Sequence, residues 1–140
     1  MVKGVLHPMK ILFYINAIHQ GGAERVMVNL ANQFSEKGDD VVLVTSFKDY
    51  WEYQVSDRVE RYSFEEIDFQ KEGFLSQNIK WTLNLRKMIK ECAPDVVISF
   101  MAEPNFRTIL AAAGLKAKRI ISRIEQLTED LEMISKNLRK

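Results

Sequence analysis

The sequence predicts a doubly wound α/β domain built on a parallel sheet and followed by an amphipathic helical tail. Short apolar runs rich in β-branched residues are typical of strands that are buried on both faces. Amphipathic stretches with helical periodicity separate these runs. The chain of 140 residues, 46% hydrophobic and 28% charged, has the length and composition of one ordinary globular domain. Strands that alternate with helices at this spacing indicate a sheet with helices on both faces.

The first 45 residues predict a strand, a helix and a second strand. Residues 1–8 precede the first apolar run and are interpreted as a leader. Residues 9–15 predict a buried strand, and residues 23–37 predict a helix with one apolar stripe. Gly38 supplies a typical helix stop, and residues 41–45 predict the second buried strand. This order is that of a βαβ unit.

The segment from residue 46 to residue 78 has the weakest pattern, and residues 58–64 predict its one strand. Eight of the fourteen aromatic residues of the chain lie in this segment. We interpret them as core packing around an irregular strand in preference to a platform for a ligand. They are Phe47, Tyr50, Trp51, Tyr53, Tyr62, Phe64, Phe69 and Phe74.

A helix is predicted over residues 78–92, where Trp81, Leu85, Met88, Ile89 and Cys92 form an apolar stripe. The opposite side carries four cations, which we interpret as a solvated face, with contact to anionic lipid as the alternative. These cations are Lys80, Arg86, Lys87 and Lys90.

The remainder of the domain repeats the alternation, with a strand predicted over residues 96–100, a helix over 104–115 and a last strand over 119–122. Residues 123–140 differ, because their apolar positions recur at the spacing of a coiled-coil seam. So short a helix is marginal alone, so we expect it to dock on the domain or on a second copy as a homodimer. The seam positions are Ile124, Leu127, Leu131, Ile134 and Leu138.

Composition and charge exclude several classes of protein. Twenty basic residues against 19 acidic ones leave no basic field for nucleic acid. Cys92 is the single cysteine, so it cannot close an internal disulfide, and with two histidines it cannot complete a zinc site. No apolar run approaches the roughly 20 residues that span a bilayer. We therefore expect a cytoplasmic protein without a metal, either free or peripheral at the inner membrane face.

The turn at residues 16–25 (NAIHQGGAER) follows the first strand, at the edge where parallel sheets bind ligands. Gly21 and Gly22 stand where a helix usually carries a capping side chain, so the first backbone N–H groups are open to an anion such as a phosphate. A plain tight turn explains the two glycines equally well. The GxGxxG and Walker patterns are absent, so hydride transfer and ATP hydrolysis lose support.

A second polar turn, residues 99–107 (SFMAEPNFR), follows the fourth apolar run and lies at the same edge. Glu103 and Asn105 are placed to reach a hydroxylated ligand, while the alternative is helix initiation with Pro104 in the first turn. The sequence contains no nucleophile elbow, HExxH motif or DxD triplet. Covalent and metal-dependent chemistry are therefore unsupported.

Two segments together, KILFYINAIHQGGAERVMVNLANQFSEKGDDVVLVTS and PDVVISFMAEPNFRTILAAAGLK, resemble the N-terminal domain of the GT-B family 4 (group 1) glycosyltransferases over about residues 9–122. The resemblance implies a single Rossmann-like GT-B half. It also implies a hexosyltransferase that moves a sugar from a nucleotide-sugar to a glycan or lipid-linked acceptor with retention of configuration. The expected setting is surface polysaccharide biosynthesis, with no metal and no cofactor beyond the donor substrate.

The resemblance also assigns site residues without identifying a catalytic one. Gly21 and Gly22 match the glycine loop that faces the donor diphosphate. Many relatives place a histidine just before the Glu-Pro pair, where this chain has Ala102, so that histidine role is not carried over. The expected acceptor contacts are His19, Ser99, Glu103 and Asn105.

In that family the N-terminal half binds the acceptor, and a second Rossmann-like domain binds the sugar nucleotide. The chain ends in SRIEQLTEDLEMISKNLRK in place of that domain. We therefore expect a chain that lacks its donor-binding partner domain and is inactive alone. The alternative is a non-catalytic truncated domain that dimerises through residues 124–138.

Overall fold

A computed structural model describes residues 8–19, 21–64 and 73–121. Within these residues five strands alternate with three helices. The strands are β1 (Lys10–Ile15), β2 (Asp40–Thr45), β3 (Glu60–Ser63), β4 (Val96–Ser99) and β5 (Lys118–Ile121). The helices are α1 (Gly22–Glu36), α2 (Phe74–Cys92) and α3 (Ala102–Ala111).

The five strands form one sheet in the order β3-β2-β1-β4-β5, and every pairing is parallel. The chain runs outward from β1 to β3 and then returns to the other side of β1. The order of the strands therefore reverses between β1 and β4, which is the place where doubly wound sheets bind ligands.

Helices cover both faces of this sheet. Ile11, Phe13 and Ile15 of β1 pack with Met27 and Ala31 of α1 in one core. The alternate positions of β1 pack on the opposite face against α2 and α3 in a second core. Because successive side chains of a strand point to opposite faces, a strand covered on both sides must be apolar at every position, which is the pattern of the first apolar run.

The predicted α/β class, with its Rossmann-like parallel sheet, is confirmed, and the boundaries differ by a few residues. The third strand is shorter than predicted, α2 begins four residues earlier, and α3 spans residues 102–111 where 104–115 was predicted. Gly38 has φ +101 just after α1, so the predicted glycine stop is confirmed.

Among the described residues, two that are not glycine have positive φ. Ala93 has φ 45 and ψ 55 and caps the C-terminus of α2. Met101 has φ 75 and ψ 160 immediately before α3. This second conformation is one that residues with a side chain rarely adopt, and it costs about 1–3 kcal/mol. Backbone strain is therefore stored in the turn that joins β4 to α3.

The interpretation of the central aromatics as core residues is correct for part of the set. Phe47 lies against Trp81 with ring centroids 6.1 Å apart, and Phe64 lies against Tyr14 at the same distance. The interpretation is wrong for others, because the irregular loop at residues 46–59 packs only some of its side chains, such as Tyr53, against the core. The aromatic side chains exposed to solvent are Tyr50, Trp51, Tyr62 and Phe74.

The basic face of α2 is largely solvated, as interpreted, with Lys87 near Glu91 at 4.0 Å. Arg86 departs from this interpretation. Its guanidinium donates to the carbonyl oxygens of Ala111 and Ala113, at 3.0 and 2.7 Å. Helix C-termini leave such carbonyl groups without partners, so Arg86 caps α3 and ties it to α2.

No helix among the described residues is long and apolar enough to cross a membrane. Residues 1–7 of the leader, Phe69 and the tail at residues 123–140 lie outside the described residues. Tail-driven dimerisation therefore stays a prediction.

Candidate functional site

Polar side chains gather where β1, β2 and β4 end. Asn16 follows β1, Ser46 follows β2, and Ser99 is the last residue of β4. Ser46 donates its hydroxyl hydrogen to Oδ1 of Asn16 over 3.1 Å, and Tyr14 and Ser46 are hydrogen-bonded through their hydroxyl groups. The hydrogen of Ser46 is already used, so Tyr14 is the donor in the second bond. The ends of β1 and β2 are thus joined by side chains.

Arg107 is the centre of this cluster. Its residue is 4% exposed, so its guanidinium is a buried cation that needs close partners. Nε and Nη2 donate to Oδ1 of Asn78 at 3.1 and 2.6 Å, and Nη1 donates to Oδ1 of Asn16. The guanidinium carbon also lies 4.7 Å from the centre of the Trp81 ring, a cation–π geometry. Arg107 therefore joins β1, α2 and α3.

Burial raises the pKa of the Tyr14 hydroxyl, although the positive charge of Arg107 acts in the opposite direction. Arg107 Nη1 donates to this hydroxyl over 3.4 Å. Tyr14 therefore stays protonated at neutral pH and keeps its hydrogen for the bond to Ser46.

Glu103 forms the solvent side of the cluster. Its side chain is 58% exposed, and Oε2 accepts from Nη2 of Arg107 at 3.3 Å and from Nδ2 of Asn16 at 3.4 Å. Both Arg107 and Ser46 donate to the amide oxygen of Asn16, so the amide nitrogen is turned towards Glu103. A fixed amide donor beside an exposed carboxylate acceptor is an arrangement that binds hydroxyl groups.

Two other residues that were predicted to contact the sugar acceptor lie below this surface. Ser99 Oγ donates to Oδ1 of Asn105 over 2.7 Å, and the two residues are 0% and 5% exposed. This bond connects the end of β4 with the first turn of α3. The structure thus brings Ser99 and Asn105 together as a support for the turn that presents Glu103.

His19 lies in a separate cluster on the turn after β1. Its Nδ1 is 3.2 Å from Oδ2 of Asp49, and its Nε2 is 4.0 Å from Oε1 of Glu24. The His19 side chain is 49% exposed, so it remains accessible to a ligand.

The glycine loop carries a carboxylate that the sequence analysis did not anticipate. Gly21 is the N-cap of α1 with extended backbone (φ −120), and Gly22 is the first helical residue. A Cβ on Gly21 would lie 2.7 Å from Cδ of Glu24, whose residue is 8% exposed. The glycine thus leaves room for Glu24 to fold back over the helix N-terminus, where a negative charge is stabilised. A donor phosphate approaching Gly21 would meet this carboxylate.

The sequence analysis missed most of the polar cluster around Arg107. Asn16 is the first polar residue after a buried strand, and Arg107 is four residues after Glu103 on a helix. These sequence positions mark Asn16 and Arg107 as candidate site residues, but they do not predict that the side chain of Arg107 is buried. No group of three or more His, Cys, Asp or Glu side chains within the described residues is placed to hold a metal ion.

Comparison with known proteins identifies the family of this chain. The family model described as Glycosyltransferase Family 4 matches residues 20–123, which is most of the chain. The chain belongs to glycosyltransferase family 4. The resemblance drawn from the two sequence segments within residues 9–122 is confirmed.

Two curated glycosyltransferases match this family 4 domain. One, from Campylobacter jejuni, is named GalNAc-alpha-(1->4)-GalNAc-alpha-(1->3)-diNAcBac-PP-undecaprenol alpha-1,4-N-acetyl-D-galactosaminyltransferase; it is 36% identical over 115 residues, which are 81% of this chain and 32% of that protein. The other is an uncharacterized glycosyltransferase of Haemophilus influenzae, 29% identical over 114 residues, which are 80% of this chain and 31% of that protein. The chain spans about a third of the length of these relatives.

A solved structure shares the fold of this glycosyltransferase domain. The C-terminal domain of a hydrogenase from Pyrococcus furiosus superposes with a TM-score of 0.55 at 14% identity, over 82% of this chain and 92% of that domain. At this identity the likeness concerns the fold alone.

Proposed function

We propose that this chain is the acceptor-binding part of a retaining glycosyltransferase. The sugar comes from a nucleotide-sugar, and the acceptor is a glycan or a lipid-linked glycan of surface polysaccharide biosynthesis. The observation that carries the proposal is the pairing of Glu103 with the oriented amide of Asn16 beyond the carboxyl ends of the neighbouring strands β1 and β4. The name of the Campylobacter relative, which contains an undecaprenol-linked acceptor, supports the lipid-linked class.

In this proposal Glu103 accepts a hydrogen bond from an acceptor hydroxyl, and Asn16 donates one to a neighbouring oxygen. Arg107 does not need to touch the sugar. It is a positioning residue, because its bonds fix both the amide of Asn16 and the carboxylate of Glu103. His19, on the same turn as Asn16, is the second acceptor contact that we propose. A preorganised pair of this kind avoids ordering costs when the sugar binds.

The donor belongs to a second domain in this proposal, because the chain covers only a third of its relatives. Gly21 and Gly22 then face the donor diphosphate only if Glu24 swings away from the N-terminus of α1. The isolated chain is expected to be inactive, since it lacks the groups that would hold the donor and stabilise the leaving phosphate.

The experiment is a transfer assay on a chimera in which this chain replaces the matching third of the Campylobacter relative. Transfer of a nucleotide-activated N-acetylgalactosamine to a GalNAc-terminated acceptor is measured for the chimera and for the isolated chain. We expect turnover from the chimera and none from the isolated chain. Turnover by the isolated 140 residues would refute the assignment to one half of an enzyme.

The Glu103→Gln variant of the chimera tests the site. Loss of a hydrogen bond to a charged group costs about 1.5–3 kcal/mol, so kcat/KM should fall by about tenfold or more. The matched control is Glu91→Gln on α2, an exposed carboxylate that should leave transfer unchanged. Equal activities of the two variants would remove Glu103 from the site.

A further inference from the structure

An apolar groove runs between α2 and α3 on the outer side of the domain. Its volume is about 590 Å³, within the range of ligand sites. Leu75, Ile79 and Leu83 form one wall, four residues apart on α2, and Phe106 and Leu110 form the other wall on α3. All five residues are between 51% and 73% exposed. A contiguous apolar surface of this kind indicates a binding site and is not explained as scattered surface residues.

This groove is distinct from the domain core. The opposite side of α2 buries Trp81, Leu85 and Ile89, so the Leu75, Ile79 and Leu83 stripe has no place against the sheet. The sequence analysis assigned one apolar stripe to this helix, and the structure shows two.

Side-chain bridges between the helices hold the two walls together at the middle and at the end of α3. In the middle of α3, Arg107 donates to Asn78 of α2, and at its end, Arg86 of α2 donates to the carbonyl oxygens of Ala111 and Ala113. Arg107 is buried and Arg86 is half-buried, and each bond joins α2 with α3 or its C-terminal turn. The groove is therefore formed before any ligand binds.

One end of the groove is polar and continuous with the candidate acceptor site. Asn78, Glu103 and Arg107 line the groove and also belong to the Arg107 cluster. A molecule whose hydroxyl groups contact Glu103 can therefore lay an attached chain directly over the leucine and phenylalanine side chains.

We propose that the groove binds the hydrocarbon chain of a single amphiphilic acceptor whose sugar lies at Asn16 and Glu103. This inference rests on the proposed function and adds the chemical class of the acceptor, a glycolipid. Asn78, Glu103 and Arg107 belong both to the groove and to the polar cluster, so one molecule with a sugar and a hydrocarbon chain can contact the whole continuous surface.

The test is a titration of the isotope-labelled chain with butyl, hexyl and octyl β-D-glucosides, each below its micelle concentration, followed by NMR shifts of backbone amides. Burial of each methylene raises affinity, so we expect up to about a fourfold gain per added methylene. The largest shifts should fall on Leu83, Phe106 and Leu110.

Two matched variants separate the groove from general hydrophobic contact. Leu83→Ser should lower the affinity for octyl glucoside about tenfold and leave that for butyl glucoside nearly unchanged. Val26→Ser removes a partly exposed apolar side chain of α1 outside the groove and should change neither affinity. Both sites are exposed, so both variants should keep the thermal melting of the parent, which circular dichroism checks.

An affinity that is independent of chain length, or equal losses in the two variants, would overturn the inference. Binding to phosphatidylglycerol vesicles without binding of monomeric octyl glucoside would also overturn it, because the surface would then serve a bilayer. Chain-length dependence in a protein whose chimera transfers no sugar would refute the proposed function and leave the groove assignment standing.

Discussion

Removal of the Arg107 guanidinium should destabilise the domain without changing its fold. Arg107→Met keeps most of the aliphatic stem and deletes the donors to Asn78 and Asn16 together with the contact to Trp81. Hydrogen bonds that involve a charged group contribute about 1.5–3 kcal/mol each, and a desolvated cation–π contact contributes about 2 kcal/mol.

The net loss is smaller than the sum of these contacts. The cost of burying the guanidinium disappears with it, and water can reach the half-buried asparagines in the variant. We therefore expect the free energy of unfolding to fall by about 3 kcal/mol. For a domain of this size that corresponds to a drop in Tm of roughly 10 °C.

Urea unfolding followed by circular dichroism measures this change in the isolated chain. The matched control is Lys87→Met, which removes an exposed cation of α2 whose nearest carboxylate lies 4.0 Å away and should cost less than about 0.5 kcal/mol. If Arg107→Met lies within about 0.5 kcal/mol of the parent, the cluster contributes little and the positioning argument fails.

Three further predictions concern single sites. Ala93→Gly should raise the free energy of unfolding by about 0.5–1 kcal/mol, because Ala93 caps α2 with a left-handed backbone; urea unfolding with an unchanged or lower stability would contradict this. Gly21→Ala should cost about 1 kcal/mol more in the parent than in a Glu24→Ala background, since the new Cβ meets the Glu24 carboxyl group; a double-mutant cycle with no coupling would show that the glycine serves another purpose. The pKa of Tyr14 is raised in the folded state, so the folded protein keeps the Tyr14 proton at a pH at which the unfolded chain, with a tyrosine pKa of about 10, loses it. The free energy of unfolding should therefore fall as the pH rises above about 10 in the parent, and less steeply in Tyr14→Phe. Urea unfolding at a series of pH values measures this, and equal slopes in the two proteins would contradict it.

Much of the fold was predictable because burial on both faces leaves a continuous apolar run in the sequence. β1, β2 and β4 each carry such a run and were recognised. β3 is an edge strand whose side chains are only exposed or half-buried, so it carries no such run and its limits were set too wide. The loop at residues 46–59 has aromatic residues without a period, and their exposure depends on tertiary packing that no local pattern records.

The location of the two polar turns was predictable, because the topology of a parallel sheet places the turns that follow its strands at one edge. Both polar turns were placed at the same edge, and Glu103 was named. Arg107 was missed because its partners are distant in sequence, with Asn78 29 residues away and Asn16 91 residues away. Glu24 was missed although a local signal marks it, because it lies three residues after the N-cap Gly21, the spacing at which a glutamate folds back over a helix N-terminus.

The central claim is that this chain binds the acceptor at the edge formed by Asn16 and Glu103. The measurement that tests it most directly is an NMR titration of the labelled chain with two ligands in separate experiments. One ligand is a GalNAc-α-(1→4)-GalNAc disaccharide, and the other is a nucleotide-activated N-acetylgalactosamine. We predict saturable shifts at the amides of Asn16, Glu103 and their neighbours with the disaccharide, and weaker or no shifts there with the nucleotide-sugar. Saturable binding of the nucleotide-sugar at this edge, with no response to the disaccharide, would contradict the account.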